Sequence, residues 1–186
     1  MKHSIKQIYS SLDPSLPDTA RKAIARILDE EGGHVNHAAD RGKETKYGIS
    51  SRWYPGVDIA SLTLNEAAQI YYRDYWLKNK CHTLPPEIAL TLFDCAVNQG
   101  GTFARKTLQK ALGVTDDGLI GMKTISAAFA APRLILLAKY TKLRCQRYTD
   151  IASRDNTQQV FLKGWVSRAL DILVECQSIA LGVDDA

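Results

Sequence analysis

The sequence predicts a mainly α-helical fold with one short non-helical insert. Apolar residues recur at helical spacing along most of the chain, and a polar stretch with several glycines interrupts them from about residue 34 to 57. With 186 residues and 45% hydrophobic content, the chain is long enough to bury one sizeable core. We therefore expect one compact unit over residues 1–186, with a lobe at 18–100 and a C-terminal helical lobe at 101–186.

The first predicted helix runs from Asp18 to Glu31. Asp18 follows Pro17 and is a candidate N-cap, because its carboxylate can accept hydrogen bonds from the first free backbone N–H groups. After Glu31 the chain is polar and contains several glycines, which favours a small β-hairpin or an irregular loop. Loops held against rigid helices are where catalytic groups tend to lie.

The later helices follow from their start signals. Thr63 and Glu66 form a capping box, and Pro85-Pro86 suits the first turn of a helix. Asn98-Gln99-Gly100-Gly101 ends the helix that Pro85-Pro86 begins. The predicted later helices cover about residues 63–78, 85–101, 103–112, 122–130, 132–152 and 158–181.

Glu31 is the strongest candidate for a chemical role, because it shares the apolar face of its helix. On a helical period it lies with Ile24, Ile27 and Leu28, whereas other charged residues occupy the rest of the turn. An acid there loses hydration, which favours its protonated form, and the negative end of the helix dipole opposes its ionisation. A general acid needs that property. The alternative is that Glu31 ends a surface helix and Gly32-Gly33 form its C-cap.

Short motifs occur in order along the chain from about Arg21 onward. They are Ile27-Leu28, Glu31-Gly32-Gly33, Val35-Asn36, Asp40, Gly42, Thr45, Gly48-Ile49, Tyr72-Arg73-Asp74-Tyr75-Trp76, Phe93-Asp94, Ala96-Val97-Asn98, Gly100, Phe161, Lys163-Gly164-Trp165 and Arg168. This set resembles the glycoside hydrolase family 108 N-acetylmuramidases, which occur as phage and prophage endolysins and in some bacterial secretion clusters. The resemblance implies a lysozyme-like fold, cleavage of the β-1,4 bond between N-acetylmuramic acid and N-acetylglucosamine, and Glu31 as the catalytic acid.

The residue that handles water has more than one candidate. Glu31, Asp40 and Thr45 resemble the Glu, Asp and Thr of phage lysozymes, in which the Asp and Thr hold water on the opposite face of the sugar. That resemblance implies that Asp40, with Thr45, positions or activates the attacking water, and it favours inversion. Glu44 is a competing second carboxylate.

Three residues are candidates for substrate binding. Tyr75 and Trp76 suit a sugar ring, because an aromatic face beside a hydrogen-bonding group matches apolar C–H faces and hydroxyls; the alternative is core packing. Asn98 lies near a helix end and close to glycines, although capping of its own helix would explain it without a ligand.

A further pattern lies near residues 108–127. It consists of Leu108-Gln109, Leu112-Gly113, Asp117-Gly118, Gly121 and Thr124. This pattern resembles peptidoglycan-binding modules, in which Asp-Gly and Gly shape tight turns between short helices. A plain helix-turn-helix is the alternative, because the same residues are ordinary turn formers. No linker separates this segment from what precedes it, so we expect it to belong to the same unit.

Composition restricts the partners. The net charge of +4 and a pI near 8.8 suit an anionic partner such as a cell-wall polymer, and equally nucleic acid or solubility alone. No basic run with interleaved aromatics is present, so we do not expect nucleic acid. The four cysteines are widely spaced, and His34 and His37 have no third ligand nearby, so we expect neither a metal nor a cofactor. We expect a monomer that acts on peptidoglycan glycan strands.

The amino terminus has no hydrophobic signal core, and no stretch of about 18 apolar residues exists. We expect synthesis in the cytoplasm without a stable membrane anchor, and action on the periplasmic wall after passage across the membrane. For a phage endolysin the resemblance implies a holin. The alternatives are a lytic transglycosylase, a peptidoglycan-binding protein without catalysis, and a muramidase that assists protein secretion.

Overall fold

The computed structural model describes residues 4–31 and 44–183, and it is mainly α-helical with one small hairpin, as the sequence predicts. The chain divides into two compact units, residues 1–76 and 77–186. None of the helices in the described ranges is long and apolar enough to cross a membrane.

The first unit contains three helices and the hairpin among its described residues. Its elements are α1 (Ile5–Ser11), α2 (Asp18–Glu31), β1 (Thr45–Lys46), β2 (Ile49–Ser50), α3 (Leu64–Tyr71) and a π-helical turn (Tyr72–Leu77). The strands β1 and β2 pair antiparallel, with Thr45 opposite Ser50 and Lys46 opposite Ile49. The π turn continues α3 directly, so the helix predicted through about Lys78 ends one residue earlier.

Helix α1 is absent from the sequence prediction, because its segment is polar. Ser4 and Gln7 form a capping box: the Ser4 side chain accepts from the Gln7 N–H, and the Gln7 side chain accepts from the Ser4 N–H. Ile8 is buried, and α1 packs against α2. One buried residue in a seven-residue segment gives no periodic pattern from which a helix could be predicted. Packing against α2 stabilises this short helix.

Helix α2 has the predicted apolar face, with Ile24, Ile27 and Leu28 buried. The predicted N-cap role of Asp18 is wrong. The Pro17 carbonyl already accepts from the Arg21 N–H at 2.9 Å, so Asp18 is the first helical residue. Its carboxylate instead accepts from the Tyr9 hydroxyl.

The second unit is built around one central helix. Its elements are a 3-10 turn (Cys81–Thr83), α4 (Pro86–Gln99), α5 (Gly101–Leu112), α6 (Met122–Ala130), α7 (Arg133–Arg154), a 3-10 turn (Asn156–Gln158) and α8 (Gln159–Leu181). Helix α4 is buried along most of its length and packs against α5, α7 and α8. These bounds lie within two residues of the predicted ones.

A buried ion network joins three helices of this unit. Asp94 on α4 is fully buried, and its carboxylate pairs with Arg144 on α7 at 2.5 Å and with Arg168 on α8 at 2.9 Å. Arg144 also donates to the Tyr148 hydroxyl, at 3.2 Å. Because two cations and their hydrogen bonds surround one acid, the buried charge of Asp94 is compensated.

Candidate active site

The hairpin turn that faces the end of α2 has a backbone conformation that few residues adopt. Tyr47 and Gly48 are its two central residues, and both have positive φ, at 53° and 74°. Two such residues are the signature of a type I′ turn, which matches the twist of paired strands. The Tyr71 hydroxyl on α3 donates to the Tyr47 carbonyl at 2.9 Å, so the turn is tied to α3.

Glu31 lies directly against this turn. A Cβ placed on Gly48 would lie 2.9 Å from Glu31 Cγ, 3.0 Å from Glu31 Oε2 and 2.5 Å from the Tyr71 hydroxyl. No residue with a side chain fits that space without moving the acid or the tyrosine. Gly48 therefore brings backbone, carboxyl and phenol together. Glu31 itself is half-buried at the end of a buried helix.

A second group of polar side chains lies along the π turn. The Tyr54 hydroxyl donates to Asp74 Oδ2 at 3.0 Å, and Arg73 donates to both Asp74 oxygens at 2.7 Å. Tyr75 packs on Tyr71 with ring centroids 5.5 Å apart. Tyr71 and Glu31 both lie against Gly48, and Glu31 is close enough to act on the pKa of Tyr75, so this group lies beside the acid.

The two tyrosine hydroxyls stay protonated near neutral pH. The pKa of Tyr75 is raised, first by burial and then by the negative charges of Asp74 and Glu31, while its hydrogen bond with Tyr54 lowers it. Burial also raises the pKa of Tyr54 well above its usual range, and the hydrogen bond to Asp74 adds to this. Tyr75 is therefore a neutral group that can donate a hydrogen bond to a sugar hydroxyl, whereas the Tyr54 hydroxyl already donates its hydrogen to Asp74.

Of the three residues predicted to position or activate water, the structure describes two. Thr45 lies in β1 opposite Ser50, in the hairpin whose turn contacts Glu31. Glu44 lies just before β1, where its carbonyl accepts from the Ser51 N–H at 3.1 Å. Asp40 lies outside the described residues. The roles of all three stay predictions.

The predicted substrate-binding residues also differ in surroundings. Tyr75 is half-buried, so part of its ring is open to a ligand. Trp76 is only 2% exposed, which fits the alternative of core packing. Asn98 lies in the second unit near the end of α4, and its side-chain oxygen accepts from the Tyr148 hydroxyl. Substrate binding by these residues stays a prediction.

The sequence alone assigns no role to three residues that lie in or beside this site. Gly48 and Asp74 belong to the quoted motifs, yet neither had a role, because their contacts come from other segments of the chain. Tyr54 has no motif or periodic signal. Only its hydrogen bond to Asp74, 20 residues away, places it in this group.

The segment near residues 108–127 forms a tightly held helix-turn-helix. Buried Gln109 accepts from the Gly118 N–H at 2.7 Å and donates to Asp117 Oδ1 at 2.8 Å and to the Leu119 carbonyl at 3.0 Å. Gly118 has a φ of 80°, which explains the glycine. The motif residues therefore fix the path of the chain between α5 and α6.

Among the described residues, neither the cysteines nor the side chains that could bind a metal form a cluster. Cys81, Cys95 and Cys176 are buried and Cys145 is half-buried. Burial raises the pKa of Cys95 to about 11, so this thiol stays protonated. No group of three His, Cys, Asp or Glu side chains suits a metal among the described residues. His34 and His37 lie outside them.

Known proteins match both halves of the chain. The glycosyl hydrolase 108 family model matches residues 24–100, and the model of a predicted peptidoglycan domain matches residues 103–170. The structure of SagA from Brucella abortus matches with a TM-score of 0.74 and 29% identity, over 90% of this chain and 97% of that one. The comparison with curated proteins gives no match. Glu31, Gly48 and the tyrosines lie within the first match, and the Gln109 turn lies within the second.

Proposed function

Because this chain is a family 108 glycoside hydrolase with a peptidoglycan domain, and hence a peptidoglycan hydrolase, we propose that it cleaves the β-1,4 bond between N-acetylmuramic acid and N-acetylglucosamine. Glu31 is the proton donor. The observation that carries this proposal is that the Gly48 turn lies directly against the Glu31 carboxyl at the end of a buried helix, with the Tyr71 hydroxyl against the same glycine. Those contacts hold the carboxyl in one place while leaving the side chain partly open to substrate.

In the proposed reaction, Glu31 gives its proton to the glycosidic oxygen as the bond to the anomeric carbon breaks. A water molecule attacks that carbon from the opposite face of the sugar, and a second carboxylate accepts the water's proton. We assign this second role to Asp40, with Thr45 holding the water, and the configuration at the anomeric carbon inverts. Tyr75 presents a neutral hydroxyl and part of its ring to the sugar.

Replacing Glu31 by Gln tests the proposal. Glu31→Gln removes the transferable proton and keeps the shape, so hydrolysis of purified peptidoglycan falls by at least about a hundredfold, the lower end of what general acid catalysis contributes. Asp29→Asn, which removes an acid from the same helix, is the matched control and keeps activity. Circular dichroism checks that both variants are folded. Substantial hydrolysis by folded Glu31→Gln contradicts the assignment.

Mass spectrometry of the products identifies the bond. A muramidase leaves N-acetylmuramic acid at the new reducing end, and a lytic transglycosylase leaves a 1,6-anhydro product without adding water. Binding to walls with no new ends in the wild type would indicate a peptidoglycan-binding protein without catalysis. Only the first result agrees with the proposal.

The water-handling role has its own test. Asp40→Asn reduces the rate less completely than Glu31→Gln if Asp40 only orients water, and Thr45→Ala reduces it less again. Glu44→Gln is the competing variant. A larger loss in Glu44→Gln than in Asp40→Asn would transfer the role of second carboxylate to Glu44.

For the biological role, we propose host-cell lysis by a phage or prophage enzyme. The monomeric protein is made in the cytoplasm and reaches the periplasmic wall through a holin. Co-expression with and without a holin, followed by culture turbidity, tests this dependence. Lysis that is equally fast without a holin contradicts it, and neighbouring secretion genes would favour the alternative of local wall cutting during secretion.

A further inference from the structure

A groove runs along the second unit between the end of α5 and the first half of α7. Two adjoining depressions form it, and they share Ala111, Leu112 and Lys139 in their linings. One part is basic, with Lys110 and Lys142 beside Lys139. The other part is apolar and is lined by alanines together with Pro132 and Ile135. We name this feature the α5–α7 groove.

The lining side chains of the α5–α7 groove are available to a partner. Lys139 and Lys142 are exposed, and neither makes an ion pair in the part of the chain that the structure describes. Lys110 lies 3.5 Å from Asp116, but both side chains are about half exposed, so the pair is weak. Ile135 is 56% exposed. A charged part and an apolar part therefore lie open side by side.

The stretch of sequence that supplies this groove carries an excess of positive charge. Residues 101–154 contain 10 Lys and Arg but only 3 Asp and Glu, whereas the rest of the chain contains 14 and 17. Two of the ten are neutralised by acids of α4: Arg133 pairs with Glu87, and Arg144 pairs with Asp94. The remaining cations create a positive field that attracts anionic ligands.

We propose that the α5–α7 groove binds the peptide stem of peptidoglycan. The lysines hold the free carboxylates of the stem, and the apolar part holds its alanine methyl groups. An anionic wall polymer built on phosphates would use the lysines but would have nothing for Pro132 and Ile135 to contact. This assignment rests on peptidoglycan as the substrate of the proposed function, and it adds the peptide to the glycan as a recognised part.

Charge-neutralising variants of the full chain test the groove. The probe is a soluble disaccharide–tetrapeptide, titrated calorimetrically at low salt. Lys139→Gln with Lys142→Gln weakens its binding about tenfold, because two exposed charge contacts are lost. The control, Lys78→Gln with Lys123→Gln, removes two exposed charges of the same unit outside the groove and leaves binding unchanged. Circular dichroism shows that both variants are folded.

Changes to the probe complete the experiment. Amidation of the stem carboxylates weakens wild-type binding to the same extent, and raised salt weakens binding of the unmodified probe. The proposal is overturned if the Lys139/Lys142 variant binds like wild type, if the amidated probe binds equally well, or if purified teichoic acid binds and the tetrapeptide does not.

Cleavage is measured separately, on glycan strands stripped of their stems by an amidase. There the Lys139/Lys142 variant cleaves as fast as wild type, since its glycan site is intact. Unequal cleavage of stripped strands by the two proteins would contradict a role confined to the stem. Failure of the wild type to cleave any strand, together with stem-dependent binding, would overturn the proposed hydrolysis and leave the groove assignment standing.

Discussion

The two acids Glu31 and Asp94 occupy opposite kinds of environment. Glu31 ends a helix, is half-buried and lies against a glycine turn that a tyrosine hydroxyl also borders. Asp94 lies within α4, is fully buried and is held by Arg144 and Arg168. Both acids belong to the same ordered set of sequence motifs, so that set alone does not separate their roles.

The difference between them lies in what surrounds each carboxyl. Asp94 is fully buried and held by two guanidinium groups, so it can join helices but has no surface open to a substrate. Glu31 keeps part of its surface open beside neutral phenols. A motif residue that is open to substrate serves chemistry, and one that is sealed by cations serves the fold.

Asp94→Asn gives the largest expected effect on stability. It leaves Arg144 and Arg168 as buried charges without their carboxylate, which costs about 3–5 kcal/mol. Urea unfolding measures the loss. Asp150→Asn, an exposed acid on α7, changes stability by no more than about 0.5 kcal/mol. A folded, equally stable Asp94→Asn variant without activity would place Asp94 with the chemistry instead.

Gly48→Ala tests the contact that positions Glu31. A side chain at positive φ costs about 1–2 kcal/mol, and here the new Cβ also pushes against Glu31 and the Tyr71 hydroxyl. Gly113→Ala has the same backbone cost, at φ 71°, but its Cβ meets nothing within 4 Å. We expect both variants to lose stability and only Gly48→Ala to lose activity, by about a hundredfold, as small misplacements of catalytic groups do. Equal activity in the two would remove the positioning role of the turn.

Tyr54→Phe is expected to have a smaller effect. It removes the 3.0 Å hydrogen bond to Asp74, worth about 1 kcal/mol, and lowers the hydrolysis rate a few-fold by loosening Tyr75. Tyr47→Phe is the control, since the Tyr47 hydroxyl makes no hydrogen bond within residues 4–31 and 44–183. Thermal unfolding and hydrolysis rates are compared. If Tyr54→Phe behaves like Tyr47→Phe, the Asp74 group is separate from the Glu31 site.

Asp18 gives the smallest expected effect, and it depends on pH. The hydrogen bond from Tyr9, and then the one with Lys22, lower the pKa of Asp18 from 3.8 to about 2. A depressed folded pKa contributes stability above the ordinary value, and that contribution is lost as pH falls from about 4 toward 2. Wild type and Asp18→Asn therefore differ in urea stability at pH 6 and converge near pH 2. A difference that does not change with pH would contradict this.

Much of the helical framework can be predicted from the sequence. The Thr63–Glu66 capping box, the Pro86 start of α4 and the span of α6 are all confirmed, because caps and prolines act within one turn of a helix. The sequence favours either a small hairpin or an irregular loop after α2, and the structure has a hairpin at residues 45–50. Helix α1 and the role of Asp18 were not predicted, because contacts between α1 and α2 decide both.

By itself, the sequence determined the helices from α2 onward and the place of Glu31 on the apolar face of α2, because both depend on residues close in the chain. Only the tertiary structure decided that Gly48 lies against Glu31, that Tyr54 holds Asp74, and that Arg144 neutralises Asp94 from 50 residues away. The physical reason is distance along the chain: hydrogen bonds, desolvation and ion pairs act over a few ångströms in space, and folding alone brings such residues together.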